Sequence, residues 1–358
     1  MSDFSRLTPP MVIAAVEQAY ELNLDGTVTG YPSYINRVYG LRTDQGQELM
    51  VKFYRPGRWT EQALEEEVQF TLDCASLDLP VVPPLPLEQP LTHLPDSESA
   101  RDRPPSDGLH SDRPPDPEDY LAVLSLDHPA EPSPQDQELE IFFSLFPKRS
   151  GRSFDTDREE DWIRIGSLVG RLHRASGIRK AEYRLTCTPG SSTRLFLDEL
   201  ESEQVIHPEL SLDFLGLARR VCRDIEPLFQ SIPLIRIHGD CHRGNILDRG
   251  PQGLLLMDFD DMMTGPAVQD LWMLLPGRLE DSRYEMELLL EGYRSWNPLA
   301  ESQLSLIEPL RFMRMIYYLA WQSRQRRDRG FQENHPAWGT RSFWITELED
   351  LREQARHI

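Results

Sequence analysis

The chain has no apolar run approaching the roughly 20 residues that a helix needs to cross a bilayer. Its first residues, Met1-Ser2-Asp3-Phe4-Ser5, carry neither the basic region nor the apolar core of a signal peptide. Cysteine is scarce: Cys74, Cys187, Cys222 and Cys241 are the only four. None of them falls in CxxC spacing, which excludes a disulfide framework and gives no sign of a zinc site. These absences predict a cytoplasmic protein with no membrane partner. Positive charge is also short. Lys and Arg total 38 against 59 Asp and Glu, a formal net charge of -21. That balance opposes a nucleic-acid surface, which needs a basic footprint, and electrostatic docking on anionic lipid. A glycine-rich G-x-G-x-x-G loop is missing as well. What remains is a chain of 358 residues, 39% hydrophobic, long enough for two lobes and a sizeable core.

The most informative stretch is Ile235-Arg236-Ile237-His238-Gly239-Asp240-Cys241-His242-Arg243-Gly244-Asn245-Ile246-Leu247, followed by Leu254-Leu255-Leu256-Met257-Asp258-Phe259-Asp260-Asp261. It reads as an apolar strand, a tight polar loop, a short strand, a turn over 248–253 and a further strand ending in carboxylates. Asp240, Asn245 and Asp258 follow one another in the order in which kinases place a base and two metal ligands. Phosphoryl transfer needs an acceptor hydroxyl oriented by a carboxylate and a divalent cation to spread phosphate charge. Carboxylate and amide oxygens are hard donors suited to Mg²⁺. Any one of these residues alone reads as turn chemistry; the three together, flanked by apolar strands, point to kinase-like chemistry. His238 and His242 as a metal pair are the weaker reading, with Gly239 between them and no third His nearby.

Upstream, residues 9–22 carry apolar side chains at helical spacing after Thr8-Pro9-Pro10. Three strands are expected over 27–29, 37–41 and 48–54. Lys52 interrupts the apolar pattern of the third. On pattern alone it is equally well a lysine on an edge strand facing solvent. The next helix, 61–77, has Glu67 in the middle of the arc made by Ala63, Leu64, Val68, Phe70 and Cys74 at 100° per residue. A carboxylate on a buried face requires a cation, and Lys52 is its natural partner, as in the kinase pair that positions the α- and β-phosphates.

Residues from about 90 to 138 are rich in proline and acid, with Asp102-Arg103-Pro104-Pro105 echoed by Asp112-Arg113-Pro114-Pro115. Such a composition predicts disorder for most of this insertion, interrupted by a strand over 120–126. A second strand is expected over 140–146. Beyond 147 the pattern is helical, over 159–175, 214–229, from Gly265 onward, and over 305–324. Arg324, Arg326, Arg327 and Arg329 close the last of these, as a solvated helix end in the field of the dipole or as a substrate-binding patch. Cys241 is expected to be a small residue filling a crowded loop rather than a redox sensor.

The loop His238-Gly239-Asp240-Cys241-His242-x-Gly244-Asn245-Ile246-Leu247, with Asp258-Phe259-Asp260-Asp261, resembles the aminoglycoside-phosphotransferase and choline-kinase superfamily. Flanking motifs are similar to its bacterial serine/threonine protein kinases of the stress response. They are Ser33-Tyr34-x-Asn36-Arg37-Val38-Tyr39, Val51-Lys52-Phe53-Tyr54-Arg55-Pro56-x-Arg58-Trp59, the run from Gly265 to Leu275, and Ile307-Glu308-Pro309-Leu310-Arg311-x-Met313-Arg314 with Tyr317-Tyr318-Leu319-Ala320-Trp321.

The resemblance implies an α+β, bilobal protein-kinase-like fold. Residues 1–146 would be a nucleotide-binding N-lobe with an antiparallel sheet and one helix, and residues 147–358 a mainly helical catalytic C-lobe. It implies ATP as phosphoryl donor and Mg²⁺ as cofactor. Asp240 would be the proton acceptor, Asn245 and Asp258 the metal ligands, and Asp258 part of the catalytic set. Ser33 would contact ATP, Lys52 and Glu67 would position phosphate, Asp270 would anchor the catalytic loop, and 146–151 would be the hinge. The activity implied is phosphorylation of Ser or Thr in proteins, the chain itself included, by a monomer acting in a stress response. A kinase for an aminoglycoside, choline or a similar alcohol is the alternative, and a pseudokinase scaffold a third. The insertion departs from the family pattern. So do Asp260 and Asp261, which stand where protein kinases have glycine.

Overall fold

The computed structural model describes residues 4, 7–33, 35–87, 116–126 and 139–358. The chain divides into two compact units, one made chiefly of residues 3–69 and 82–149, the other of residues 70–81 and 150–358. The class is α+β, as the sequence predicts.

The first unit is a five-stranded antiparallel sheet. Helix α1 (Pro9–Tyr20) precedes β1 (Leu24–Tyr31), β2 (Arg37–Thr43) and β3 (Glu48–Phe53); helix α2 (Glu61–Ser76), β4 (Ala122–Leu126) and β5 (Leu139–Pro147) follow. The strand order is β1-β2-β3-β5-β4, which makes β3 the central strand. Strand periodicity divides its side chains between two faces. Leu49, Val51 and Phe53 join Val12, Val16 and Tyr20 of α1 in one core, with Ile141, Phe143 and Leu145 of β5. Phe53 stacks on Phe143 at 4.8 Å. Tyr54, just past β3, packs instead with Leu64 of α2 and Leu121. Of the proline-rich stretch, residues 88–115 and 127–138, and with them the expected disorder and the paired Arg-Pro-Pro motifs, lie outside the described residues. The described residues resume at Asp116, whose carboxylate caps a short turn over Pro117–Tyr120. Ser144 donates to the Tyr120 carbonyl at 3.0 Å, and β4 follows where a strand is expected.

In the second unit, β6 (Arg152–Ser153) leads to α3 (Glu159–Ala175), α4 (Arg194–Ser202) and α5 (Pro208–Phe229). Helix α5 begins six residues earlier than its apolar pattern suggests, because Pro208 suits a first turn and the His207 ring accepts from the Glu209 amide. Next come β7 (Leu234–Ile237), β8 (Ile246–Asp248), β9 (Leu254–Leu256) and β10 (Met263–Pro266). Helices α6 (Val268–Trp272), α7 (Arg283–Arg294), α8 (Ile307–Gln325), α9 (Arg329–Asn334) and α10 (Arg341–Ala355) complete it. The helix expected from Gly265 starts only at Val268, since residues 263–266 are used in pairing β10 with β7. No helix among the described residues is long and apolar enough to cross a membrane.

Helices α3 and α7 touch backbone to backbone. A Cβ on Gly166 would lie 2.1 Å from the Leu289 carbonyl oxygen, and one on Gly292 would lie 2.0 Å from that of Ile163. Neither obstacle is a flexible side chain, so the helices would have to separate to admit a methyl group. We expect Gly292→Ala to destabilise the protein by about 1–3 kcal/mol, the usual cost of overpacking. An unchanged urea midpoint would show that the contact yields without cost.

Candidate active site

The loop after β7 is held by one carboxylate. Asp270 of α6 is fully buried. Its Oδ2 accepts from the His238 amide at 2.7 Å, and its Oδ1 from the Gly239 amide at 2.9 Å. His173 of α3 places Nε2 3.0 Å from the same Oδ2, and its Nδ1 lies 3.0 Å from the Tyr293 hydroxyl. Gly239 has φ of +81°, and a Cβ there would fall 2.1 Å from the Asp261 carbonyl oxygen. The glycine is therefore required twice, for backbone conformation and for space. The buried His238 ring spans the loop: Nε2 lies 2.8 Å from the Met257 carbonyl, and the Asp240 amide donates to Nδ1 at 3.3 Å. With both ring nitrogens engaged, His238 is a structural strut, which disposes of the His238–His242 metal pair.

Asp240 emerges from this loop with its side chain about a fifth exposed, at 21%. Its Oδ1 is ion-paired with Arg314 of α8, and its Oδ2 lies 3.5 Å from Nε2 of His242. Burial opposes its ionisation, but the His242 hydrogen bond and the Arg314 charge outweigh it, holding the carboxyl well below the usual carboxylate range. In return the hydrogen bond to Asp240 raises the His242 imidazole above its ordinary 6.5 against its own burial, with Asp258 adding to the effect. A short turn over Arg243–Asn245 brings Asn245 back toward the loop, where its Nδ2 donates to the Asp240 carbonyl at 2.9 Å. That bond fixes which way the amide faces. Asp258 lies just past β9 in a left-handed conformation, φ 60° and ψ 74°, a region that Asp tolerates better than most residues. Its neighbour Phe259 packs at 4.9 Å from the His238 ring and edge-on to Phe70 at 5.6 Å.

In the sheet unit, Lys52 is not an edge-strand lysine. It pairs with Val38 on one side and Ser144 on the other and is buried. Its Nζ lies 3.0 Å from Oε1 of Glu67, which also accepts from the Tyr54 hydroxyl at 3.3 Å. The Tyr54 ring sits 4.8 Å from the ammonium. Ser33 lies in the loop between β1 and β2, and the far end of that loop is stitched down: Asn36 Oδ1 accepts from the Arg55 amide at 3.1 Å, and Arg55 Nε donates to the Ile35 carbonyl at 2.9 Å. Two motifs distant in sequence are thus one structural feature.

Sequence reasoning missed Arg314 and Tyr317 as site residues. Both stand in a quoted motif, but helical periodicity says nothing about which loop a helix will meet. Arg314 lies 4.3 Å over the Tyr317 ring, and the Tyr317 hydroxyl donates to Asp261 Oδ1 at 2.7 Å. Of the arginines closing α8, Arg324 grips Glu199 at 2.8 and 2.7 Å and Arg326 meets Glu203 at 2.7 Å, while Arg329, at the start of α9, meets Glu333 at 2.8 Å. Cys241 is fully buried, and burial, aided by Asp270 and Asp240, pushes its thiol well above the ordinary range. Burial and the neighbouring carboxylates both oppose the thiolate that a sensor would need.

Because His242 owes its raised pKa first to Asp240, Asp240→Asn should lower the pH at which the imidazole titrates. NMR titration without divalent metal measures this directly; an unmoved midpoint would mean that the two side chains do not interact in solution.

The phosphotransferase enzyme family matches residues 27–302 of this chain. Stress response kinase A of Escherichia coli strain K12 is 30% identical over 356 residues, spanning 99% of this chain and 94% of its own length. The serine/threonine protein kinase RdoA of Salmonella typhimurium is 30% identical over 359 residues, with the same coverage. Among solved structures, amicoumacin kinase hAmiN, in complex with AMP-PNP, Ca²⁺ and Ami, is similar in fold. It superimposes with a TM-score of 0.67 at 16% identity, over 99% of this chain and 93% of that one. With the loop, its buried anchor and the lysine–glutamate pair all in place, the chain belongs to the phosphotransferase enzyme family, and its fold is that of the kinase-like phosphotransferases.

Proposed function

We propose that this chain is an ATP-dependent serine/threonine protein kinase of the stress response kinase A type, acting as a monomer on protein hydroxyls, its own included. The observation that carries this reading is the full-length similarity, at 30% identity, to relatives bearing those names. The site supports it. In this reading residues 1–146 form the nucleotide-binding lobe and residues 147–358 the catalytic lobe, joined by a hinge over 146–151. Lys52, fixed by Glu67, would hold the α- and β-phosphates, with Ser33 in the loop above them. Asp240 would accept the hydrogen bond of the acceptor hydroxyl and orient its oxygen for attack.

The donor set fits Mg²⁺. Among the described residues no group of three or more His, Cys, Asp or Glu could hold a metal. An amide oxygen from Asn245 and a carboxylate from Asp258 are what a cation takes when phosphate and water supply its remaining ligands. Bound there, Mg²⁺ would neutralise charge on the phosphates. The chain's own contribution is to fix these donors: Asn245 through the Asp240 carbonyl, Asp258 through its left-handed backbone. A kinase for a small alcohol is the second reading, favoured by the likeness in fold to amicoumacin kinase.

Incubation with labelled ATP and either generic protein or aminoglycoside acceptors separates the two. Asp240→Asn should lower kcat by at least about 100-fold, the usual reach of a general base, with ATP binding kept. Loss of less than about tenfold would exclude Asp240 as the base. Asp258→Ala should abolish the Mg²⁺-dependent part of ATP binding by calorimetry, and unchanged affinity would remove Asp258 from the metal site.

A further inference from the structure

The contact between Arg314 and Asp240 has consequences for the acceptor. An acceptor hydroxyl that reaches the Asp240 carboxylate also comes close to the guanidinium that is ion-paired with it. Both side chains keep about a fifth of their exposure, 22% for Arg314 and 21% for Asp240, so an acceptor has access to the pair. The guanidinium is not a mobile surface charge. It projects from α8, lies over the Tyr317 ring at 4.3 Å, and Tyr317 is itself tied to Asp261 at 2.7 Å. Asp261 is buried, so this support comes from the interior. On the other oxygen of Asp240, His242 sits at 3.5 Å. The net charge of -21 would draw a cationic alcohol toward the protein, yet at the base itself the carboxylate is already compensated by a cation. Local charge decides there, since interactions at a few ångströms in a partly buried site outweigh a screened distant field.

We propose that Arg314 is an acceptor-specificity residue: it excludes hydroxyls carried next to a positive charge and selects Ser or Thr in a neutral or acidic polypeptide segment. This rests on the protein-kinase reading for the polypeptide and on the Arg314–Asp240 geometry for the charge rule. Small cationic alcohols are poor acceptors by the same rule, because a cation beside Asp240 gains no carboxylate attraction and meets the guanidinium.

The test uses full-length protein, ATP with Mg²⁺ and matched acceptors that differ in charge. Serine peptides flanked by Glu, Gln or Lys form one set. Choline and its uncharged isostere, neohexyl alcohol, form the other. The wild type should favour Glu- and Gln-flanked peptides over Lys-flanked ones in kcat/KM by about tenfold or more, as expected for a unit charge a few ångströms away at intermediate dielectric. Arg314→Gln should collapse that ratio toward one, whatever its absolute rate. Arg314→Lys, which keeps the charge, should retain it, and also serves if the Gln variant does not fold. A ratio unchanged in Arg314→Gln, or a wild type that prefers the cationic member, would overturn the proposal. If only the small alcohols are phosphorylated, the protein-kinase reading fails and the polypeptide half of the proposal with it, while the charge rule stands or falls on choline against its isostere. Transfer to none of them would sink both.

Discussion

Asp270 is the point on which the loop after β7 depends. A carboxylate without exposure to water is costly unless its oxygens find donors. Here two consecutive backbone amides and a histidine from another helix engage both oxygens. The arrangement works in both directions. The loop amides satisfy the charge, and the charge fixes the loop in the conformation that exposes Asp240. Removing such a partner typically costs about 3–5 kcal/mol, so the loop conformation and the interior of the helical unit depend on one another. The glycine requirement at position 239 follows from the same crowding, because the chain passes within contact distance of the Asp261 carbonyl as it turns.

The sheet unit solves a similar problem with a different pair. Lys52 sits on the central strand, between two hydrogen-bonded neighbours, where a lone ammonium would be unfavourable. Glu67 neutralises it, and Tyr54 adds both a hydroxyl to the carboxylate and a ring face to the ammonium. A second buried pair joins Arg236 of β7 to Asp73 of α2 at 2.8 Å, with the guanidinium over Phe70 at 4.5 Å. Buried ion pairs contribute little net stability compared with well-packed apolar residues. Their recurrence here is better explained by position: each fixes a group in one place.

The electrostatics of the chain differ between scales. Overall it is strongly acidic, which bears on solubility and long-range encounter. At Asp240, however, a guanidinium and an imidazole surround the carboxylate. A reading from composition would favour cationic ligands, whereas the carboxylate of Asp240 is already compensated by its own neighbours. The distinction matters because chemistry is decided within a few ångströms, where screening by salt is weakest.

Much was legible in the sequence. Period-two and helical patterns located most of the strands and most helices, including the strand inside the proline-rich stretch, because burial of one face is written into residue spacing; the two-residue β6 and the β10 segment before α6 were not among them. The helical arc around Glu67 was enough to anticipate its pairing with Lys52, since an uncompensated buried charge is so unfavourable. The tertiary structure decided what spacing cannot carry. Only the strand order made β3 central and removed the edge-strand reading of Lys52. Only the packing of α8 against the loop brought Arg314 to Asp240 across 74 residues of sequence, and only the packing of α3 against α6 set His173 on Asp270. The same holds for Arg324 and Arg326 at the end of α8, whose partners Glu199 and Glu203 lie on α4 and at its C-cap. Local sequence fixes which face of an element is apolar; it does not fix which distant element that face will meet, and charged side chains acquire their roles only from that meeting.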